Sequence, residues 1–182
     1  DLSGRVRGRC PSCFLCDIAK MVLALSNTFK LSLNKGDKFI TVRDEITRIK
    51  EYMTIQNMRY NNRFELILEI EEIEDLKIIT FILQPFVENA MYHGLEAKIG
   101  KGYIKVVGRR KDDKLYFTII DNGVGIADLS ILETGYGVKN VKERIKLYYG
   151  DEYGVSFASE LNVGTTVNIV IPARSEGGKI HA

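Results

Sequence analysis

Four short clusters of the chain combine residue types that packing alone does not explain. In the first, Glu88, Asn89, Tyr92 and His93 fall within about one and a half turns of a helix. Glu88 and Tyr92 then share a face at i, i+4, as do Asn89 and His93. Phe86, Val87 and Ala90 form the packed side, so the polar group is aimed at a cleft. Asparagine and carboxylate oxygens suit Mg²⁺ held beside phosphates. Taken alone, the cluster also reads as solvent-facing polar residues on an ordinary helix.

In the second, Asp121 closes the apolar run Phe117–Ile120 and is followed by Gly123 and Gly125. A carboxylate at a strand end can accept a hydrogen bond from an exocyclic amine such as that of adenine. The glycines let the backbone turn and a flat ring approach. A plain strand-ending turn fits the same residues. The third cluster, Gly135-x-Gly137 with Lys139 and Asn140, leads straight into a helix. Amides there form a cradle for phosphate, or simply a helix start. It is no dinucleotide fingerprint, since no strand precedes it and no acidic residue sits about 20 positions on. The fourth is Gly164-Thr165-Thr166 at a strand start. Thr165 is placed there to reach a base or a bridging water, or only to make a turn.

Other chemistries find no support. The chain has two histidines, at positions 93 and 181, and no nucleophilic triad is visible. Cys10, Cys13 and Cys16 lack a fourth ligand nearby, which argues against zinc. No cysteine occurs elsewhere, as expected of a protein in a reducing compartment. A net charge of +2, with the basic stretches at 5–9 and 109–114 read as a tail and a turn, argues against nucleic acid. No run of about 18 apolar residues is present to cross a bilayer.

The elements that position these clusters follow from periodicity. Residues 17–34 read as a helix, with Ile18, Val22, Leu25, Phe29 and Leu33 on one face. Thr41 and Asp44 have capping-box form and open a second helix to about Tyr60. Its seam runs through Ile46, Ile49, Met53 and Gln56 or Asn57. Strands are expected at 64–70, 102–111, 115–121, 155–159 and 165–171. Helices are expected over 80–93, with Pro85 near the start, and over 138–149. The second of these carries Val138, Val141, Ile145 and Tyr148 on one face and ends at Gly150. Neighbouring strands without intervening helices imply a mixed, mostly antiparallel sheet with helices on one face. The expected fold is thus α+β, a two-layer sandwich preceded by a helical hairpin. Its parts are a tail (1–16, disordered or cloning-derived), a helical segment (17–60), a catalytic domain (61–174) and a C-terminal tail (175–182).

In this order and at these spacings, the four clusters resemble the ATP-binding boxes of the GHKL superfamily (gyrase B, Hsp90, histidine kinases and MutL). Glu88-Asn89-Ala90-x-x-His93-Gly94 resembles the N box, and Asp121-x-Gly123-x-Gly125 the G1 box. Gly135-x-Gly137 resembles the G2 box and Gly164-Thr165 the last one. Leu83 through Ala90, the following His93-Gly94, and upstream pieces such as Glu51-Tyr52 and Ile55-Gln56 are similar to LytS-type sensor kinases. The resemblance covers roughly residues 20–173. It implies the Bergerat fold, with ATP and Mg²⁺ as cofactors. It implies that Asn89 coordinates Mg²⁺, that Glu88 orients a nucleophile or water, and that His93 contacts phosphate. Asp121 would bind the adenine amine, with Gly123 and Gly125 shaping the pocket and Thr165 supporting the base side. Gly135 and Gly137 would flank the ATP lid, with Asn140 near the phosphates.

The resemblance implies a protein histidine kinase: γ-phosphoryl transfer to a histidine, then to a response regulator, within a membrane-anchored homodimer whose catalytic part is cytoplasmic. One departure stands out. Where such kinases carry an Asn-Pro-His-Phe type acceptor motif, this chain has Arg9 through Cys16 and no histidine. The expectation is a fragment that binds ATP and is incompetent for full autophosphorylation, its acceptor lying elsewhere. A GHKL serine kinase or ATPase, or a nucleotide-binding regulatory module, are the alternative readings.

Overall fold

The computed structural model of the chain describes residues 38–130 and 135–173. The expected helix at 17–34, the cysteine trio and both tails lie outside the described residues. Strand β1 (Phe39–Thr41) leads into helix α1 (Val42–Arg59). Thr41 Oγ1 accepts the Asp44 amide at 3.1 Å, and Asp44 Oδ2 accepts back from the Thr41 amide, completing the expected capping box. Val42, Ile46, Ile49 and Met53 are buried along one stripe and join the same core as the sheet.

A five-stranded sheet follows, built from β2 (Phe64–Ile70), β4 (Gly102–Lys111), β5 (Lys114–Asp121), β6 (Gly154–Glu160) and β7 (Gly164–Pro172). Its order is β2-β4-β5-β7-β6. β2 runs parallel to β4, and the other neighbours are antiparallel. The mixed α+β sandwich expected from the sequence is what forms. One face of the sheet is buried: Ile104 and Val106, Leu115, Phe117 and Ile119, and Val167, Ile169 and Ile171 alternate inward. Helix α3 (Tyr136–Tyr149) buries Val138, Val141 and Ile145 in the same core.

The structure differs from the sequence expectation in several places. A short strand β3 (Lys77–Ile79) pairs antiparallel with β1; three residues are too few for periodicity to mark. The helix expected over 80–93 starts only at Gln84, with Pro85 in its first turn. Ahead of it, Phe81 adopts φ 56° and breaks the helical path. Finally, Tyr149 rather than Tyr148 takes the buried position at the end of α3, where its hydroxyl accepts the Ile79 amide at 2.9 Å.

Candidate functional site

Helix α2 (Gln84–Asn89) passes without a break into a π-helical stretch (Ala90–Leu95). The wider winding is visible in the Glu96 amide, which donates to the Met91 carbonyl five residues back. Such stretches recur at functional sites because they rotate side chains out of the α-helical register. Phe86, Val87 and Met91 anchor this segment in the core. Asn89 and His93 turn toward a cavity lined also by Phe86, Gly94, Ile119, Asp121, Phe157 and Thr165. Helix and sheet residues far apart in sequence therefore meet at one place.

Asp121 ends β5 opposite Ile104 of β4 and Thr165 of β7. It is 5% exposed, and its Oδ1 accepts the Gly123 amide at 2.8 Å. Burial pushes its carboxyl above the usual aspartate range. Hydrogen bonds from the Gly123 and Thr165 amides, and the charge of Lys98, pull the other way. Lys98 is held by the Asn122 carbonyl, which accepts from its Nζ at 2.5 Å. The same Asn122 receives the Tyr103 amide on Oδ1 at 2.8 Å. A hydrogen-bonded carboxylate in an apolar cavity is a strong, oriented acceptor.

The glycines serve close approach. A Cβ on Gly123 would lie 2.5 Å from Gly94 Cα, so the loop after β5 touches the π-helical backbone directly. Gly125 has φ 69°, and a Cβ there would strike the Glu160 carbonyl. Thr165 Oγ1 lies 2.9 Å from Ser159 Oγ, which in turn accepts the Ile126 amide at 2.8 Å. That chain of contacts fastens the Gly125–Ile126 turn to the β6–β7 hairpin.

Not every expected residue gathers here. Glu88 is half-buried, and its Oε1 accepts from Gln84 Nε2 at 2.8 Å. Gly135, Gly137 and Asn140 sit exposed at the start of α3 and are not among the residues lining the cavity. Gly135 occupies the N-cap position with no side-chain cap, so the first amides of α3 have no side-chain acceptor from it. Ile119, Ile126, Phe157 and Val167 wall the cavity and were not singled out from the sequence. Strict alternation toward Asp121 on β5 and from Thr165 on β7 is the signal that finds two of them.

The chain belongs to the histidine kinase-, DNA gyrase B- and HSP90-like ATPase family, whose model matches residues 74–175, while a histidine kinase family model matches residues 16–64. It is 34% identical over 164 residues to the sensor histidine kinase YesM of Bacillus subtilis, covering 87% of this chain and 28% of that protein. It is 29% identical over 168 residues to the sensor protein LytS of Bacillus cereus, covering 85% of this chain and 28% of that protein, in keeping with the LytS-type motifs. The chain thus spans about 28% of the length of these curated relatives. Its fold matches the histidine kinase domain of the blue-light activated kinase from Erythrobacter litoralis EL346 with a TM-score of 0.59. That match is at 16% identity and covers 86% of this chain and 75% of the other. No helix among the described residues is long and apolar enough to cross a membrane.

Proposed function

We propose that this chain binds Mg-ATP in the cavity between α2 and the sheet and donates the γ-phosphoryl group to a histidine on a separate segment of its parent sensor kinase. One observation carries this: Asn89 and His93 from the helix, and Asp121 and Thr165 from two strands, line the same cavity. In this reading Asp121 accepts the adenine amine, and Thr165 supports the base side through the Ser159 contact. Gly123 and Gly125 shape the pocket wall. The phosphates run toward Asn89 and His93. Glu88 orients the nucleophile or a water, its carboxylate steadied by Gln84. Gly135 and Gly137 flank the lid, and Asn140 approaches the phosphates when it closes.

The residues present fit a magnesium ion that arrives with the nucleotide. Asn89, half-buried, lines the cavity with a side-chain amide oxygen to offer, and Glu88 precedes it on the helix. Mg²⁺ takes one or two protein ligands and fills the rest of its shell with water and phosphate. When bound, the ion neutralises charge on the phosphates. The chain's own contribution is positioning: a fixed acceptor for the base at one end and polar side chains for the phosphates at the other. The phosphohistidine then passes to a response regulator, and the parent protein is a membrane-anchored homodimer with this part on the cytoplasmic side.

The test mixes the chain with γ-labelled ATP, Mg²⁺ and a helical segment bearing an acceptor histidine. Acid-labile, alkali-stable label on that segment is the expected result. ATP binding without transfer to any such segment would sink the kinase reading. Acid-stable label would point to a serine kinase instead.

A further inference from the structure

Glu45 takes no part in the site as described, yet it is fully buried in the first turn of α1. Its carboxylate reaches out of its own helix. Oε2 accepts the Phe81 amide at 3.1 Å, and Oε1 accepts the amides of Leu83 at 3.0 Å and Gln84 at 3.3 Å. Those amides belong to the turn that launches α2. Leu83, at the N-cap of α2, supplies no side-chain hydrogen bond of its own. The opening amides of a helix need acceptors, and here they come from a neighbouring helix rather than from the local sequence.

A second side chain grips the same turn. Arg48 lies three residues on from Glu45, on the same face of α1. Its Nη1 donates to Thr80 Oγ1 at 2.8 Å, and its guanidinium lies 4.4 Å from the centre of the Phe81 ring. Together, Glu45 and Arg48 hold Thr80, Phe81, Leu83 and Gln84. Asn89 follows five residues after Gln84 on the same short helix. Burial pushes the Glu45 carboxyl upward, opposed by the three amides and by Arg48. A buried carboxylate is costly to keep unless its acceptors are fully used, and here both oxygens are.

We infer that Glu45 is a positioning residue for Asn89: it fixes the start of α2 to α1, so that α1 sets where Asn89 stands over the cavity. The contact also bridges the two matched regions, since α1 falls within residues 16–64 and α2 within residues 74–175. A shift of α1 along its axis is therefore delivered first to the turn that opens α2 and carries Asn89, whereas Asp121 is held by β5 and the Gly123 amide. This rests on the proposed placement of Asn89 at the phosphates. Coupling of this kind requires an element whose position both ends bias, and the Thr80–Gln84 turn is that element.

The test uses the full chain and compares E45Q with the unaltered protein. Gln keeps the volume but places an amide NH2 where a carboxylate oxygen met an N–H, so at least one of the backbone amides loses its acceptor. Affinity is measured for a non-hydrolysable Mg-ATP analogue and, separately, for adenosine, with thermal melting alongside. Mg-ATP-analogue affinity is expected to fall about tenfold, with adenosine affinity unchanged within about twofold. Equal effects on both ligands, or none, would overturn the inference, because a merely structural role moves them together. If E45Q fails to fold, E45D decides, since it keeps the carboxylate but shortens its reach to the Phe81, Leu83 and Gln84 amides. A selective loss for the Mg-ATP analogue supports the inference, and an unchanged ratio overturns it. Failure of the unaltered chain to bind Mg-ATP would overturn the reading of the site itself, and this inference with it.

Discussion

Gly94 of the π-helical stretch faces Asp121 so closely that a Cβ added to it would stand 2.8 Å from Asp121 Oδ1 and 3.2 Å from Asp121 Cγ. The absent side chain lets the helix sit against the carboxylate without covering it. Gly94→Ala pushes a methyl group into the acceptor. It is expected to weaken ATP-analogue binding at least tenfold and to cost about 1–3 kcal/mol of stability from overpacking. Titration calorimetry and chemical denaturation read the two effects separately.

Gly123 and Gly137 respond in opposite directions to the same substitution. Gly123→Ala drives a methyl into the backbone of Gly94 and is expected to destabilise by about 2–4 kcal/mol. Gly137 lies in the first turn of α3, where a Cβ meets only Pro85 Cβ at 3.7 Å, an ordinary contact. Gly137→Ala is expected to stabilise by up to about 1 kcal/mol, through the higher helix propensity of alanine. Thermal melts of the two variants, side by side, check the sign.

Acidity separates affinity from stability at Asp121. Its folded carboxyl titrates above its unfolded one because burial disfavours the charge. The folded state therefore binds the proton more tightly. The stability contributed by this group is complete below the unfolded value and is lost as pH rises through the folded value. Adenine binding needs the ionised form, so affinity falls as pH drops through that same raised value. Adenosine titrations across the acid range should show this loss beginning above the usual aspartate range. Asp121→Asn should show no binding at any pH while melting near the unaltered chain.

Asn57 imitates a strand. Its Nδ2 donates to the Phe64 carbonyl at 2.7 Å, and its Oδ1 accepts the Phe64 amide at 3.1 Å. This ties the last turns of α1 to the start of β2. Asn57→Ala leaves both backbone groups without those partners and is expected to cost about 2–3 kcal/mol. Nucleotide affinity should hold, because the clamp lies away from the cavity. Urea denaturation with a parallel binding assay checks both halves.

Much of this arrangement was legible in the sequence. Alternation in Phe64–Ile70 and Gly102–Lys111, the Thr41–Asp44 capping box and the stripe of Val138, Val141 and Ile145 each carry a period long enough to read. Asp121, Asn89 and His93, singled out separately in the sequence, line one cavity in the structure. What escaped is set by contacts between distant residues. Nothing local distinguishes Glu45 from a solvent-facing helix carboxylate; its burial depends on amides nearly 40 positions away. The π-helical winding at Ala90–Leu95 has no period signal of its own. The exposed start of α3 holds glycines whose pattern suggested a site, but outside the cavity walls their part depends on how that segment meets a nucleotide.

β2 and β4 are the parallel neighbours in the sheet, and parallel strands must be joined by a crossover. Here the crossover contains β3, α2 and the π-helical stretch, so the polypeptide bearing Asn89 and His93 is also what lets β2 occupy its edge of the sheet. β5 and β6 also run parallel, on either side of β7, and their crossover contains α3, but it carries neither Asn89 nor His93. Cooperative opening of the chain should therefore follow that boundary: β2, the crossover and the adjoining rim of β4 as one unit, the β6–β7 hairpin as another. A ligand held at Asn89 would then slow hydrogen exchange at an outer strand it never touches.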